Sequence, residues 1–115
     1  MAKALIMLVR VLGLAGIILG ALVWSEHQQL LGPHIGCGFL LAIVLFILAV
    51  VALLKKAVVP GVLGMVFALL LPVVGFMQFP LTFHTMRAVQ VAHTLLALAS
   101  IGVAESLYSA IRKAG

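Results

Sequence analysis

Four histidines stand beside two of the breaks that separate the long apolar segments of this chain. His27 and His34 lie around the first break, and His84 and His93 lie around the third. Imidazole is a common metal ligand and titrates near neutral pH, so such a cluster can bind a metal or move protons. Six of the seven basic residues lie near the chain ends or the second break instead. The sequence therefore predicts a histidine end and an opposite, positively charged end.

The composition predicts an integral membrane protein. Of 115 residues, 66% are hydrophobic and 8% are charged, and the mean hydropathy is +1.42. Globular domains carry about 25% charged residues, so a soluble core does not account for this chain. We attribute the net charge of +5 to the positive-inside rule and to anionic lipid, and we expect no nucleic acid partner. Cys37 is the single cysteine, which excludes a dithiol redox site and a CxxCH haem attachment.

Four apolar segments are each close to the ~20 residues that a helix needs to cross a bilayer. We expect a single transmembrane domain over residues 1–115, with helices at about 4–24, 34–54, 58–79 and 87–111. Backbone groups in lipid must bond internally, so every segment should be an α-helix. The connections are short, which favours an antiparallel up-down-up-down four-transmembrane-helix bundle.

The basic residues predict the orientation of this bundle. An even number of spans puts both termini on one side, and Arg87 is the lone basic residue on the other side. The positive-inside rule therefore predicts an N-in/C-in topology with the histidine end on the outer face. From the size and composition, we expect a bacterial inner (plasma) membrane.

The same basic residues allow depths to be compared between helices. His34 lies 21 residues from Lys55, and His93 lies 19 residues from Arg112. At ~1.5 Å per residue, both imidazoles lie ~30 Å from the inner anchors. The second and fourth helices occupy diagonal corners of an antiparallel bundle, so these rings should face each other across the core. This placement suits the two axial ligands of a planar haem. The alternative is that each histidine bonds a carbonyl or water at the membrane interface.

Depth counting also pairs two charges. Arg10 lies seven residues from Lys3, and Glu105 lies seven residues from Arg112. An isolated charge inside the membrane costs at least ~2.5–3.5 kcal/mol, so a partner is expected. We predict a structural ion pair between Arg10 and Glu105. A proton path or substrate site is an alternative, and so is a snorkelling Arg10 beside a protonated Glu105.

Further polar residues surround the histidine end. Arg87 could pair with a haem propionate or with a headgroup phosphate. Gln90 lies one helical turn from His93 and is a candidate neighbour of a cofactor. His27 and His84 form a candidate second site for a metal or a quinone oxygen, with solvated loop histidines as the alternative.

Small residues recur along two segments at spacings that place them on helix faces. The set comprises Gly13, Gly16 and Gly20 in the first segment, and Gly61, Gly64, Ala68 and Gly75 in the third. Such residues let membrane helices approach each other, which is the reading we favour. They can also leave room for a flat cofactor.

With His34 and His93 on alternate apolar helices near one face, the chain resembles small bacterial four-helix b-type membrane cytochromes, the cytochrome b561-like group. The resemblance in architecture extends over the whole chain, whereas the resemblance in motif rests on these two histidines. It implies haem b with those histidines as axial iron ligands, and electron transfer between the quinone pool and an acceptor at the outer face. Gln90, Arg87 and His84 would then lie beside the haem or at a quinone site. The cytoplasmic half contains no histidine, so no second haem is predicted there.

Two other classes of function remain open. One is a small proton-coupled transporter or channel, as a homodimer, that uses Glu105. The other is a non-catalytic subunit or adaptor of a membrane complex. No catalytic residues are predicted, since the sequence contains no P-loop, GxSxG or HExxH motif.

Overall fold

The computed structural model describes residues 1–78 and 83–115, without the side chains of residues 83–86. Within these residues the chain is all-helical and contains no strand. The helices are α1 (Ala2–Trp24), α2 (Leu31–Leu54), α3 (Val58–Phe76) and α4 (Phe83–Lys113), with a 3-10 turn at Gln28–Leu30. All four helices are long and apolar enough to cross a membrane, as the composition predicted.

Three helices are longer than predicted. α1 begins at Ala2, two residues before its predicted start. α2 begins at Leu31, three residues before its predicted start. Pro33 falls in the first turn of α2, where its missing N–H removes no helical hydrogen bond. α4 begins at Phe83 and ends at Lys113, four residues before and two residues after its predicted bounds. As a result, His34 lies one turn inside α2 instead of at its start.

α3 ends at Phe76, ahead of the predicted end at residue 79, which lies outside the described residues. The last carbonyls of a helix lack partners within the helix. Here the side-chain amide of Gln78 donates to the backbone oxygen of Gly75 at 3.1 Å. This hydrogen bond gives a partner to one of the last carbonyls of α3. That end of α3 lies beside the predicted histidine site.

α1 and α2 end in the same way. Glu26 and Lys56 have left-handed backbone conformations, with φ of 73° and 63°. In each case the next N–H bonds a carbonyl five residues earlier, His27 to Leu22 at 3.0 Å and Ala57 to Ala52 at 2.9 Å. These are Schellman caps, which usually carry glycine at the left-handed position.

Consecutive helices pack side by side, and α4 also packs against α1 and α2. In the described part of the chain, α1 and α3 do not touch. Of the two pairs of helices that lie diagonally across the bundle, α2 and α4 are therefore closer together than α1 and α3. The most deeply buried apolar side chains lie in the half that carries the basic residues, and include Ile6, Val9, Leu45, Leu48 and Leu107.

Glycines set the close approach of α3 to its neighbours. A Cβ atom at Gly61 would lie 2.6 Å from Cγ of Leu53 on α2. A Cβ atom at Gly64 would lie 2.7 Å from Cδ1 of Leu107 and 2.9 Å from Cβ of Ala49. Membrane helices gain stability from such packing, because lipid supplies little hydrophobic drive between them. The basic half of the bundle is thus tightly packed, whereas the histidine half contains a cavity.

The outward surface of the helices is largely apolar. Large exposed side chains include Val11 on α1, Ile43 on α2, Leu69 on α3 and Leu95 on α4. A continuous apolar surface of this kind is typical of contact with a membrane. The helical surface therefore fits a lipid bilayer.

Candidate functional site

The structure brings His34 of α2 and His93 of α4 together across the short diagonal. Their ring centroids are 6.2 Å apart, and the ring planes are nearly perpendicular at 86°. Imidazole nitrogens bind first-row metals at about 2.0–2.1 Å, so one metal shared by two imidazoles separates their centroids by roughly 6 Å. The centroid distance of this pair is therefore close to that of two ligands on opposite sides of a single metal, while the Cε1 edges of the rings face Gly20 of α1 and Gly75 of α3.

The pair by itself is a sparse ligand set. Among the described residues, no group of three or more His, Cys, Asp or Glu side chains is placed to hold a metal ion. Structural and catalytic zinc sites use three or four protein ligands. Two histidines suffice for a haem iron, because the porphyrin supplies the other ligands. The donor set therefore fits haem better than a bare ion.

Two glycines on the other two helices make room for the imidazoles. A Cβ atom at Gly20 of α1 would lie 2.9 Å from Cε1 of His34. A Cβ atom at Gly75 of α3 would lie 3.0 Å from Cε1 of His93. Any side chain at either position would displace a ring. From the sequence we favoured helix packing for these glycines, with room for a flat cofactor as the alternative, and their contact with the histidines was not predicted.

A backbone carbonyl fixes the orientation of the first imidazole. Nδ1 of His34 lies 2.9 Å from the backbone oxygen of Gly16 on α1. A carbonyl can only accept, so Nδ1 is the donor, and the neutral ring carries its lone pair on Nε2. Metal-binding histidines typically donate their other N–H to a carbonyl or carboxylate in this way. His34 is therefore held in the tautomer that a ligand needs.

The second imidazole lacks such a partner. Nδ1 of His93 and Oε1 of Gln90 are both buried, and neither has a hydrogen bond to any described residue. The hydroxyl of Thr94 donates to the backbone oxygen of Gln90, at 2.9 Å, and does not involve either atom. A buried polar atom without a partner costs about 1–3 kcal/mol. On α4, therefore, two buried polar atoms of the site lack hydrogen bonds, whereas Nδ1 of His34 on α2 has one.

A cavity of about 520 Å³ surrounds the histidine pair. This volume lies in the range of about 300–1,000 Å³ that is typical of pockets for organic ligands. All four helices line the cavity, and its deep wall is apolar, with Leu12, Leu41 and Leu71. Polar side chains lie near the helix ends, namely Glu26, Gln28, Gln78 and Arg87. The cavity therefore suits a ligand with a large apolar body and a polar edge.

Arg87 lies at the polar end of the cavity and contacts an aromatic ring. Its Cζ atom is 5.2 Å from the ring centroid of Trp24, within the range of a cation–π interaction. The contact joins the start of α4 to the end of α1. It holds the guanidinium group beside the cavity, where an anionic group of a ligand could reach it.

The predicted second site is not assembled by the described residues. Nδ1 of His27 lies 3.2 Å from the backbone oxygen of Leu22, near the end of the preceding helix α1, and the side chain is exposed. His27 does not line the cavity. The side chain of His84 lies outside the described residues. A joint site of His27 and His84 therefore stays a prediction.

Arg10 and Glu105 form a bidentate ion pair between α1 and α4. Nε of Arg10 donates to Oε1 of Glu105 at 2.7 Å, and Nη2 donates to Oε2 at 3.0 Å. The side chains are 47% and 40% exposed, so the pair lies on the outer surface of the bundle. Both carboxylate oxygens are engaged, which favours a clamp between the helices over a carboxylate that takes up and releases protons.

Comparison of the chain with known protein families, with characterised proteins and with solved structures finds no match. Membership of the cytochrome b561-like group stays a prediction.

Proposed function

We propose that the chain is a membrane-embedded b-type haem protein that passes electrons between the quinone pool and an acceptor at the outer face. One observation carries this proposal. The imidazoles of His34 and His93 lie with their centroids 6.2 Å apart, inside a cavity with an apolar interior and a polar end.

The residues present fit haem b in three respects. His34 has its Nε2 lone pair available, because its Nδ1 is bonded to Gly16. The absence of side chains at Gly20 and Gly75 leaves the space that the two rings occupy. The apolar wall suits a porphyrin, and the guanidinium of Arg87 could bind a propionate. When bound, haem supplies reversible one-electron oxidation and reduction at its iron.

The protein's own part is to hold the ligands and exclude water. The hydrogen bond from His34 to Gly16 orients the ring and makes Nε2 a stronger donor. The apolar side chains around the pair lower the local polarity. Axial ligands, hydrogen bonds to them and burial are the features by which a protein sets a haem potential.

We also propose that the bundle is up-down-up-down with an N-in/C-in topology in a bacterial inner membrane. Lys55, Lys56, Arg112 and Lys113 lie at the helix ends opposite the histidines, which supports this orientation through the positive-inside rule. The histidine end then lies near the outer face. A lipid-soluble quinol could reach it from within the bilayer.

The direction of electron flow can be tested with a quinol. The protein is produced with adequate haem supply, purified in detergent, and mixed anaerobically with duroquinol while the absorption spectrum is followed. We expect reduced-haem bands to appear with duroquinol and also, in a parallel sample, with dithionite. Reduction by dithionite but not by duroquinol would contradict the quinone part of the proposal.

A further inference from the structure

Two buried polar atoms without a hydrogen-bond partner, Nδ1 of His93 and Oε1 of Gln90, belong to side chains one turn apart on α4. We infer that Gln90 is a positioning residue for His93. In this arrangement the side-chain carbonyl of Gln90 accepts a hydrogen bond from Nδ1 of His93, as the backbone oxygen of Gly16 does from His34. The effect on haem depends on the proposed function, whereas the hydrogen bond itself does not.

The two atoms are complementary and close in the helix. Nδ1 of His93 can donate, Oε1 of Gln90 can only accept, and both are buried without a partner among the described residues. Residues three apart lie on the same face of a helix. Long side chains on α-helices point back toward the N-terminus, so His93 leans over the turn that carries Gln90. A rotation of the flexible Gln90 side chain pairs both atoms at once.

Other polar groups near His93 are engaged or placed elsewhere. The hydroxyl of Thr94 bonds the backbone of its own helix. The amide nitrogen of Gln78 bonds the backbone of α3. The carboxylate of Glu26 lines the cavity, but that residue is exposed at the end of α1. Nε2 of His34 also carries a lone pair, but in the proposed function that lone pair binds the iron. On α4 itself, Gln90 is the acceptor that lies one turn from His93.

The hydrogen bond would give His93 the same tautomer and the same kind of hydrogen-bond partner as His34. Donation from Nδ1 fixes the tautomer of His93 with its lone pair on Nε2, the same tautomer as His34. A carbonyl that accepts from the far nitrogen also makes the ligand nitrogen more basic. A more basic ligand stabilises the oxidised iron, so Gln90 should lower the midpoint potential of a bound haem.

The first test needs no haem. The haem-free protein is labelled with ¹⁵N-histidine in detergent, and the His93 signals are assigned by their loss in His93→Ala. We expect the wild-type protein to show His93 protonated at Nδ1. Gln90→Met, which is similar in size but has no carbonyl, should give a mixture of tautomers. Gln90→Glu, which keeps an acceptor, and the control Gln29→Met, at an exposed glutamine outside the cavity lining, should both resemble wild type.

Two outcomes would overturn the inference. A wild-type His93 protonated at Nε2 overturns the inference, even if no variant folds. An unchanged tautomer in a folded Gln90→Met also overturns it. In the haem-loaded protein, Gln90→Met should raise the midpoint potential while Gln29→Met, at an exposed glutamine outside the cavity lining, does not. If haem fails to bind but the tautomer responds as expected, the role of Gln90 stands and the proposed function fails.

Discussion

Gly20 of α1 lies against the imidazole of His34 so closely that a Cβ atom there would come within 2.9 Å of the ring. Gly75 of α3 stands in the same relation to His93, at 3.0 Å. Each histidine of the pair is therefore backed by a glycine on the preceding helix. The absence of a side chain at these positions is a condition for the geometry of the site.

Gly20→Ala should weaken haem binding at least about tenfold, or about 1.4 kcal/mol, because the added methyl group displaces His34. Haem titration of the detergent-solubilised protein measures the affinity. Gly36→Ala is the matched control, since no described atom lies within 4 Å of a Cβ placed there. Equal affinities for the two variants would show that Gly20 does not control the position of the ring.

Gly64→Ala should destabilise the bundle by about 1–3 kcal/mol, the usual range for overpacking. The added methyl group would meet Leu107 and Ala49 at less than 3 Å. Gly102→Ala is the control, because no described atom lies within 4 Å of its added methyl group. That control should be stabilised by about 0.5–1 kcal/mol, because alanine favours a helix more than glycine does. Thermal unfolding in detergent compares the two, and a neutral Gly64→Ala would argue against the close α3–α4 packing.

The number of helices and their approximate positions could be predicted from the sequence, because hydropathy and length determine which segments can cross a membrane. Depth counting also singled out His34, His93, Arg10 and Glu105, since the basic residues at the helix ends give a common reference level. The structure places the members of each of these pairs together.

The contacts of Gly16, Gly20 and Gly75 with the histidines could not be predicted in the same way. They depend on how each helix is rotated about its own axis. Rotation is set by packing against neighbouring helices, and it is not fixed by hydropathy. Several glycines occur on α1 and α3, and nothing in the sequence distinguishes those that face an imidazole.

Glu105→Gln should lower the unfolding temperature and leave the haem spectrum unchanged, since it removes the charge of a clamp between α1 and α4. Arg10→Gln should have a similar effect, and the double variant should be no less stable than either single variant. Thermal unfolding followed by circular dichroism supplies the comparison. A Glu105→Gln variant that keeps wild-type stability but loses a proton-coupled flux in vesicles would favour the transporter alternative.

Lys56→Gly should stabilise the protein by about 1–2 kcal/mol, the typical cost of a left-handed conformation for a residue with a side chain. Lys56 has a φ of 63° in the cap after α2. Lys55→Gly is the matched control, because the φ of Lys55 is −90° and glycine gains nothing there. If both variants unfold at the same temperature, the left-handed cap is not a source of strain.

The most direct test of the central claim is the reduced-minus-oxidised absorption spectrum of the purified protein, produced with adequate haem supply. We predict a sharp Soret band and split α and β bands on reduction, as given by a low-spin b haem with two histidine ligands. His34→Ala and His93→Ala should each abolish these bands. His27→Ala, which changes an exposed histidine bonded to the end of α1, should retain them. A protein that stays colourless after haem titration, or that keeps its spectrum without His34 and His93, would contradict the proposed haem site.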